Sequence, residues 1–376
     1  MTRCSCPLIK RAILIDPRRI ELYWDCQVRY ADREENFSVR MDGAPLELVH
    51  WTSKMEWTYG TVYQKESMRT TLCLKEAVDC AAAGRITVQV LGQVMDLEDR
   101  PADYTHVYTL AYEPYYTQHV KTRDGIIIKA GKGVQASSLH LAVEIIDIML
   151  EKLPEVAAEL RRRNAGVSVY GLLENAYDIP EHRMGYLLAT RHVEGFGGEM
   201  ANPHSSISES NLIRLRSGRY ATMYPHEMIL VHEFGHAVHL VGIDGLEDQT
   251  LSQEIKFCYQ HAKDEGLWPD TYAISNHEEY FATLGTVWFN VMQEGVDGKW
   301  DGIRGPVNTR EELRMYDPMA YALMQKLYPD TVLPAPWDHN VDRFDISGAP
   351  RQEMRVMLLV QHYDLGPAKF KWEFLK

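Results

Sequence analysis

The stretch Met228–Gly242 reads MILVHEFGHAVHLVG and contains the pattern H-E-x-x-H. Residues four apart lie one turn above another on an α-helix, so His232 and His236 share a face. Two imidazoles at this spacing can bind one Zn²⁺, and Glu233 beside them can take a proton from a water on the metal. The five letters alone are only moderately specific, because a surface helix with two histidines gives the same pattern.

The residues around the pattern favour a buried helix. Val231, Phe234 and Val238 make the helix apolar over most of its circumference. A buried His-Glu-His set without a ligand would be costly in free energy. Gly235 has no side chain, so a substrate or another backbone can approach the helix closely. This context favours a metal site over an ordinary helix that happens to carry histidines.

A zinc site needs a third ligand. A metzincin would have glycine at 239 and histidine or aspartate at 242, whereas this chain has His239 and Gly242, which excludes that class. One straight helix does not easily bring three ligands to one ion, so we predict that His239 packs behind the site or supports it. Glu254 follows the H-E-x-x-H pattern at nearly the sequence spacing of the third ligand in thermolysin-type enzymes. Its surroundings, LSQEIKF, lack the N-E-x-x-S-D pattern of those enzymes. The candidates are the downstream carboxylates Asp244, Glu247, Asp248, Glu254, Glu278 and Glu279.

The stretch YAISNHEEYFATLGTVWFN, which begins at Tyr272, predicts a second helix. Ser275-Asn276 can cap its first turn. Its apolar stripe comprises Phe281, Leu284, Trp288 and Val291. Glu279 lies on the opposite, polar stripe. Periodicity alone leaves open whether that polar stripe faces solvent or a cleft.

HEFGH, followed about forty residues later by Y-x-x-x-N-x-x-E-Y-F-A, resembles the catalytic domain of anthrax lethal factor and its bacterial relatives. These gluzincins bind zinc with two histidines of one helix and a glutamate of a second. The resemblance, over roughly residues 115–330, implies that Glu279 is the third zinc ligand, with Glu278 as the competing candidate. It also implies that the phenol of Tyr272 hydrogen-bonds the oxyanion of the reaction. Where the family often continues F-A-E, this chain has Thr283, so a role of that glutamate does not carry over.

The resemblance therefore implies a zinc metallopeptidase that acts on peptides or proteins. One Zn²⁺ per chain would be held by His232, His236 and Glu279, with Glu233 as the general base. Two alternatives stay open: a zinc hydrolase of a non-peptide amide or ester, and a binding or adhesion protein with a structural or vestigial zinc site. The presence of Glu233 argues against the latter, because a structural site needs no base.

The predicted secondary structure changes along the chain from mainly β to mainly helical. Residues 8–112 contain short β-rich runs separated by turns such as Asp42-Gly43, which is typical of a small sandwich, and their order resembles bacterial Ig-like domains. We predict an α+β protein of two domains. An all-β Ig-like sandwich occupies 8–112, and a mainly helical zincin-type catalytic domain with a small sheet occupies 113–335. The pattern does not indicate a fold for the extension 336–376.

Several elements of the second domain can be predicted individually. A serine is expected to cap the helix in SSLHLAVEIIDIMLEKL, Pro154 to open another helix, and GVSVYGLL to form a buried strand. The glycines of GFGG, from Gly195 to Gly198, are expected in a flexible rim loop, and NPHSSISESNLIRL to contain a substrate-binding edge strand. Ser205-Ser206 has no plausible catalytic partner. Further helices are predicted at roughly 225–241, 248–264, 277–292, 309–315 and 318–328.

Composition limits the partners. The formal net charge of −13 and the pI near 5.6 argue against a nucleic-acid binder, which concentrates lysine and arginine. The sequence has no run of 18 apolar residues, so we expect no transmembrane segment. It also shows no recognisable export signal, although the relatives in the resemblance are often exported. The sequence by itself is consistent with a cytoplasmic protein, whereas the resemblance implies a secreted or cell-surface one.

Overall fold

The structure, a computed structural model, describes residues 6–31, 33–49, 66–182 and 193–338. The chain divides into two compact units. Unit 1 comprises residues 1–115 and 180–190, and unit 2 comprises residues 116–179 and 191–376. The division after Tyr115 lies three residues from the predicted boundary after 112.

Unit 1 contains two mainly antiparallel sheets. In the first, the strand order is β10-β1-β2-β6-β5, β8 also pairs with β2, and only β1 and β10 are parallel. The second has the order β4-β3-β7-β9. The strands are β1 (Ile9–Asp16), β2 (Arg19–Arg29), β3 (Phe37–Met41), β4 (Ala44–Leu46), β5 (Leu48–Val49), β6 (Glu66–Leu74), β7 (Ile86–Val90), β8 (Met95–Asp96), β9 (Val107–Thr109) and β10 (Ala111–Tyr112).

The two sheets of unit 1 share one apolar core. Leu14 and Leu22 of the first sheet and Val39 and Val88 of the second belong to the same buried cluster. A core between two sheets is the arrangement of a β-sandwich. The predicted turn at Asp42-Gly43 joins β3 to β4, with φ of 51° and 84° at the two residues. Positive φ at both central residues is what a tight two-residue hairpin needs.

Unit 2 combines a five-stranded mixed sheet with helices. The strand order is β11-β12-β13-β15-β14, with parallel pairing of β13 to both β12 and β15. The strands are β11 (Gln118–Lys121), β12 (Ile127–Ala130), β13 (Gly166–Tyr170), β14 (Gly195–Phe196) and β15 (His204–Ser208). The helices are α1 (Ala136–Met149), α2 (Pro154–Arg162), α3 (Glu209–Leu212), α4 (Ile229–His236), α5 (Thr250–Asp264), α6 (His277–Trp288), α7 (Arg310–Tyr316) and α8 (Pro318–Leu327).

Two local expectations for unit 2 are wrong. Helix α1 is not capped by a serine. Gln135 occupies the cap position, and Glu209 from α3 accepts hydrogen bonds from the Gln135 N–H and the Ser138 hydroxyl, both at 2.8 Å. The expected edge strand, β15, is an inner strand. Gly195–Phe196, the first two residues of GFGG, form β14, which pairs antiparallel to β15 and covers its outer edge.

The α+β fold class is confirmed, with strands first and most helices later in the chain. The assignments to Ig-like and zincin-type domains stay predictions. Of the extension 336–376, residues 339–376 lie outside the described residues. No helix within the described residues is long and apolar enough to cross a membrane.

Candidate metal centre

Helix α4 carries the H-E-x-x-H pattern, and its start is fixed by residues distant in sequence. Met228 donates its N–H to the carbonyl of Val291 at 3.0 Å. The next N–H, of Ile229, donates to Asn211 Oδ1 at 3.0 Å, which satisfies one of the free donors of the first turn. Asn211 is fully buried, and its amide donates to the carbonyls of Tyr224 and Glu227. The helix therefore starts at Ile229 rather than near 225 as predicted.

After His236 the helix widens into a π-helix over Ala237–Ile243. Such π segments are frequent at functional sites. His239 is fully buried in this segment, 3.8 Å from Asp244 and with its ring 5.0 Å from that of Phe281. It is not among the residues that converge on the candidate metal position. This placement agrees with its predicted packing role.

Helix α6 brings the third candidate ligand. Asn276 caps it by accepting the N–H of Glu279 at 2.8 Å, as the sequence predicts for Ser275-Asn276. The helix crosses α4 closely, because a Cβ at Gly235 would stand only 3.4 Å from the Cα of Ala282. The backbone that Gly235 admits is thus that of α6. This close crossing turns the polar stripe with Glu279 towards the two histidines.

Three side chains converge between α4 and α6. The distances are 3.1 Å from His232 Nε2 to Glu279 Oε2, 3.4 Å from His236 Nε2 to Glu279 Oε2, and 3.2 Å between the two Nε2 atoms. Tetrahedral zinc with bonds of about 2.0–2.1 Å separates its ligand atoms by about 3.3 Å. The donor set and its spacing therefore fit zinc without rearrangement. The two histidines are at most 9% exposed.

The competing carboxylates are not part of this group within the described residues. Glu254 forms an ion pair with Lys326 at 2.5 Å. Asp248 accepts the N–H of Thr250 at the start of α5. Glu278 precedes Glu279 on α6 but is absent from the cluster.

Tyr272 lies beside the cluster. Its phenol donates to Glu279 Oε1 at 2.9 Å, and its ring stacks near that of His232, with centroids 6.3 Å apart and planes 28° from parallel. The side chain is 39% exposed. In this state Tyr272 supports the candidate ligand, and it remains accessible to a bound molecule.

Strand β14 and the two glycines that follow it, Gly197 and Gly198, pack against α4, a packing role that the expected flexible rim loop did not include. A Cβ at Gly195 would lie 2.7 Å from Glu233 Cγ, and one at Gly197 would lie 2.6 Å from His236 Cβ. Ser205 joins the two elements, because its hydroxyl accepts the Gly198 N–H at 3.0 Å and donates to the Glu233 carbonyl at 3.1 Å. The run of glycines is the sequence signal for this close approach.

Gly197→Ala is therefore expected to disturb the site. The added methyl must displace His236 or β14, and overpacking of this kind typically costs about 1–3 kcal/mol. We expect a lower midpoint of thermal unfolding and weaker zinc binding. Gly133→Ala is the matched control, since nothing lies within 4 Å of its Cβ position. Equal zinc affinity and stability of the two variants would contradict the close packing.

The electrostatics of the metal-free site couple the ligands. Burial alone would lower the pKa of His232, but the hydrogen bond and charge of Glu279 raise it to about 9. Burial would raise the pKa of Glu279, yet His236 and His232 hold it well below its usual range. Burial raises the pKa of Glu233. The metal-free site is thus an ion pair whose proton must leave before zinc can bind.

This coupling predicts an unusual histidine titration. In the metal-free protein the His232 ring should titrate near pH 9 in an NMR titration, assigned by its loss in His232→Asn. Zinc needs the neutral imidazole, so its apparent affinity should rise about tenfold per pH unit as pH increases towards 9. In Glu279→Gln the midpoint should fall well below that of the wild type, because burial remains while the hydrogen bond and the charge of Glu279 are gone. A wild-type midpoint at or below 6.5 would contradict the ion pair.

Comparison with known proteins gives little. No family model and no curated protein matches the chain. Among solved structures, the S-layer protein SbsC matches with 14% identity over 32% of this chain and 15% of that chain, at a TM-score of 0.24. A crystal structure of the N-terminal part of this bacterial S-layer protein matches with 15% identity over 32% of this chain and 26% of that chain, at 0.23. The match thus spans about a quarter or less of these proteins' lengths, and similarity this low defines neither fold nor function.

Proposed function

We propose that this protein is a zinc-dependent hydrolase of the gluzincin type, a metallopeptidase that cleaves peptide bonds. The observation that carries the proposal is the convergence of His232, His236 and Glu279 at zinc-ligand spacing. Two features distinguish a catalytic from a structural zinc site: only three protein ligands and an adjacent base. Glu233, next to His232 on α4, supplies the base.

The residues divide the chemistry among them. Zinc held by these three side chains would acidify a water molecule and polarise the carbonyl of a substrate. The Glu233 carboxylate takes the proton of the attacking water and then delivers it to the leaving amine. The phenol of Tyr272 can turn from Glu279 Oε1 to donate a hydrogen bond to the developing oxyanion.

A peptide substrate is favoured by the position of β14. This strand ends the sheet within the described residues. Gly195 of this strand and Gly197 just after it contact α4 at Glu233 and His236. An extended peptide can pair with an exposed strand edge through backbone hydrogen bonds. A peptide bound in this way would run past the base and the candidate metal position.

The test is zinc content together with hydrolysis of a mixed peptide library by the wild-type protein. We expect one zinc per chain and defined cleavage products that disappear with a chelator and return with zinc. Zinc binding without any peptide cleavage, but with hydrolysis of a panel of amides and esters, would transfer the proposal to a non-peptide substrate. A wild-type protein that binds no zinc would overturn it.

A further inference from the structure

Asp317 is a buried carboxylate that links the two segments flanking the site. It is fully buried, and its Oδ2 accepts hydrogen bonds from Trp268 Nε1 at 3.0 Å and from the Tyr280 phenol at 2.8 Å. Its Oδ1 accepts the Ala320 N–H at 3.0 Å, at the positive end of α8. No ion pair to Asp317 is formed within the described part of the chain. Its two carboxylate oxygens therefore accept hydrogen bonds from the Trp268 segment, from α6 and from α8.

Each of the two side chains that Asp317 holds lies close in sequence to a residue of the site. Tyr280 directly follows Glu279 on α6 and is fully buried. Trp268 lies four residues before Tyr272 and is 3% exposed. One carboxylate oxygen thus joins the helix of the third candidate ligand to the segment that carries the phenol.

The Trp268 segment follows a path that needs such an anchor. Trp268 has a φ of 55°, in the left-handed region that bulky residues rarely adopt. Its backbone N–H donates to the Tyr316 phenol at 2.8 Å, and its carbonyl accepts the Thr271 hydroxyl at 2.7 Å. Next along the chain, Tyr272 donates its own N–H to the carbonyl of Ile303 at 2.9 Å.

We propose that Asp317 is a positioning residue that acts through Trp268 and Tyr280 to hold the Tyr272 phenol at hydrogen-bond distance from Glu279. It touches no candidate metal ligand itself. Its effect is to fix the distance between two segments, and the 2.9 Å contact from Tyr272 to Glu279 Oε1 depends on that distance. This inference rests on the proposed zinc site, because Glu279 is oriented for the metal.

The test is a double-mutant cycle on zinc affinity, which requires no substrate. Tyr272→Phe removes the hydrogen bond to Glu279 and should weaken zinc binding roughly tenfold, as loss of an outer-shell partner does. Trp268→Phe keeps an aromatic ring but removes the N–H that Asp317 holds, and should weaken zinc binding by roughly two- to tenfold. In the double variant the Trp268 change should have a clearly smaller effect than in the wild type, because its route through Tyr272 is already lost and only its contact with Tyr280 remains.

Tyr328→Phe is the matched control. Tyr328 is a fully buried tyrosine of the same unit, and its hydroxyl has no hydrogen-bond partner within the described residues. Its loss should leave the zinc affinity unchanged. The absorption spectrum of the Co²⁺-substituted protein should shift alike in Trp268→Phe and Tyr272→Phe and stay unchanged in the control. Asp317→Asn, checked for folding by thermal unfolding, should weaken zinc binding at least as much as Trp268→Phe, because Asp317 also holds the Tyr280 phenol next to Glu279.

Two results would overturn the inference while leaving the proposed function standing. One is a Trp268→Phe variant with wild-type zinc affinity and Co²⁺ spectrum. The other is a Trp268→Phe effect that persists undiminished in the Tyr272→Phe background, which would indicate a general packing role. A wild-type protein without zinc would instead contradict the proposed function.

Discussion

Glu233→Gln is expected to abolish measurable hydrolysis while the protein still binds one zinc per chain. Glutamine has nearly the same shape as glutamate but cannot accept a proton from water. Loss of a general base typically lowers kcat by about 10²–10⁴-fold. The zinc ligands stay unchanged, and Gly195 still packs against the side chain, since Cγ is common to both residues. We would measure kcat and KM on a peptide selected with the wild type, together with zinc content.

The matched control is Glu254→Gln, which removes the same charge from a carboxylate that is paired with Lys326. It should retain wild-type kcat and zinc content. A Glu233→Gln enzyme with full kcat would show that another group takes the proton, and the assignment of the base would fall. A Glu233→Gln protein that loses zinc would show that Glu233 holds the ligand helix rather than the proton.

Local sequence signals predict most helices but not their ends. For α6, the Asn276 cap and the apolar stripe predict the helix, and both are confirmed. The sequence predicts that this helix ends near 292, but it ends at Trp288. Asn290 adopts a left-handed φ of 59°, which interrupts the helical backbone. For α1 the cap residue is Gln135, and its N–H is held by the carboxylate of Glu209, about 70 residues away. No local pattern can indicate a partner so distant in sequence.

In the candidate site, too, the sequence indicates some features and not others. The helical spacing of His232 and His236 follows from the sequence alone, and the resemblance adds Glu279 and Tyr272. Apart from the Asn276 cap of α6, the sequence does not indicate the contacts that hold these residues in place. Asn211, which caps α4, and Ser205, which joins Gly198 to α4, act through contacts between segments far apart in the chain. Only the spacing of glycines in GFGG carried a readable signal, and it was interpreted as flexibility rather than close packing.

The unexpected order of β14 and β15 has a simple physical origin. Polar and apolar residues alternate only weakly in HSSIS. The pattern therefore does not show whether this strand pairs with a neighbouring strand on one edge or on both. All five residues of β15 are buried. Gly195 can approach the Ser206 carbonyl because it lacks a Cβ, which would lie 2.6 Å from that oxygen. The pairing of β14 with β15 therefore depends on the absence of a side chain at Gly195. Hydrophobic periodicity reads only the side chains that are present, so it cannot indicate this pairing.

Glu279→Ala is expected to abolish zinc binding, whereas Glu278→Ala should leave it nearly unchanged. Removing Glu279 leaves only two imidazole ligands and deletes the acceptor of the Tyr272 phenol. The zinc affinity should fall by more than the roughly 10–100-fold typical for the loss of an outer-shell partner. Isothermal titration of the metal-free variants with zinc measures this directly. Glu278 lies one position earlier on the same helix and outside the cluster, so its variant should remain within about threefold of wild type.

The pair of variants also distinguishes the two glutamates that the sequence left in competition. On a helix, adjacent residues point about 100° apart, so only one of them can face α4. Loss of zinc in Glu278→Ala with retention in Glu279→Ala would reverse the assignment of the third ligand. It would also require α6 to be rotated relative to α4, in conflict with the close approach of Gly235 to Ala282. If both variants kept the zinc affinity of the wild type, the two histidines would bind the metal with a ligand other than Glu278 or Glu279. The gluzincin proposal would then fail.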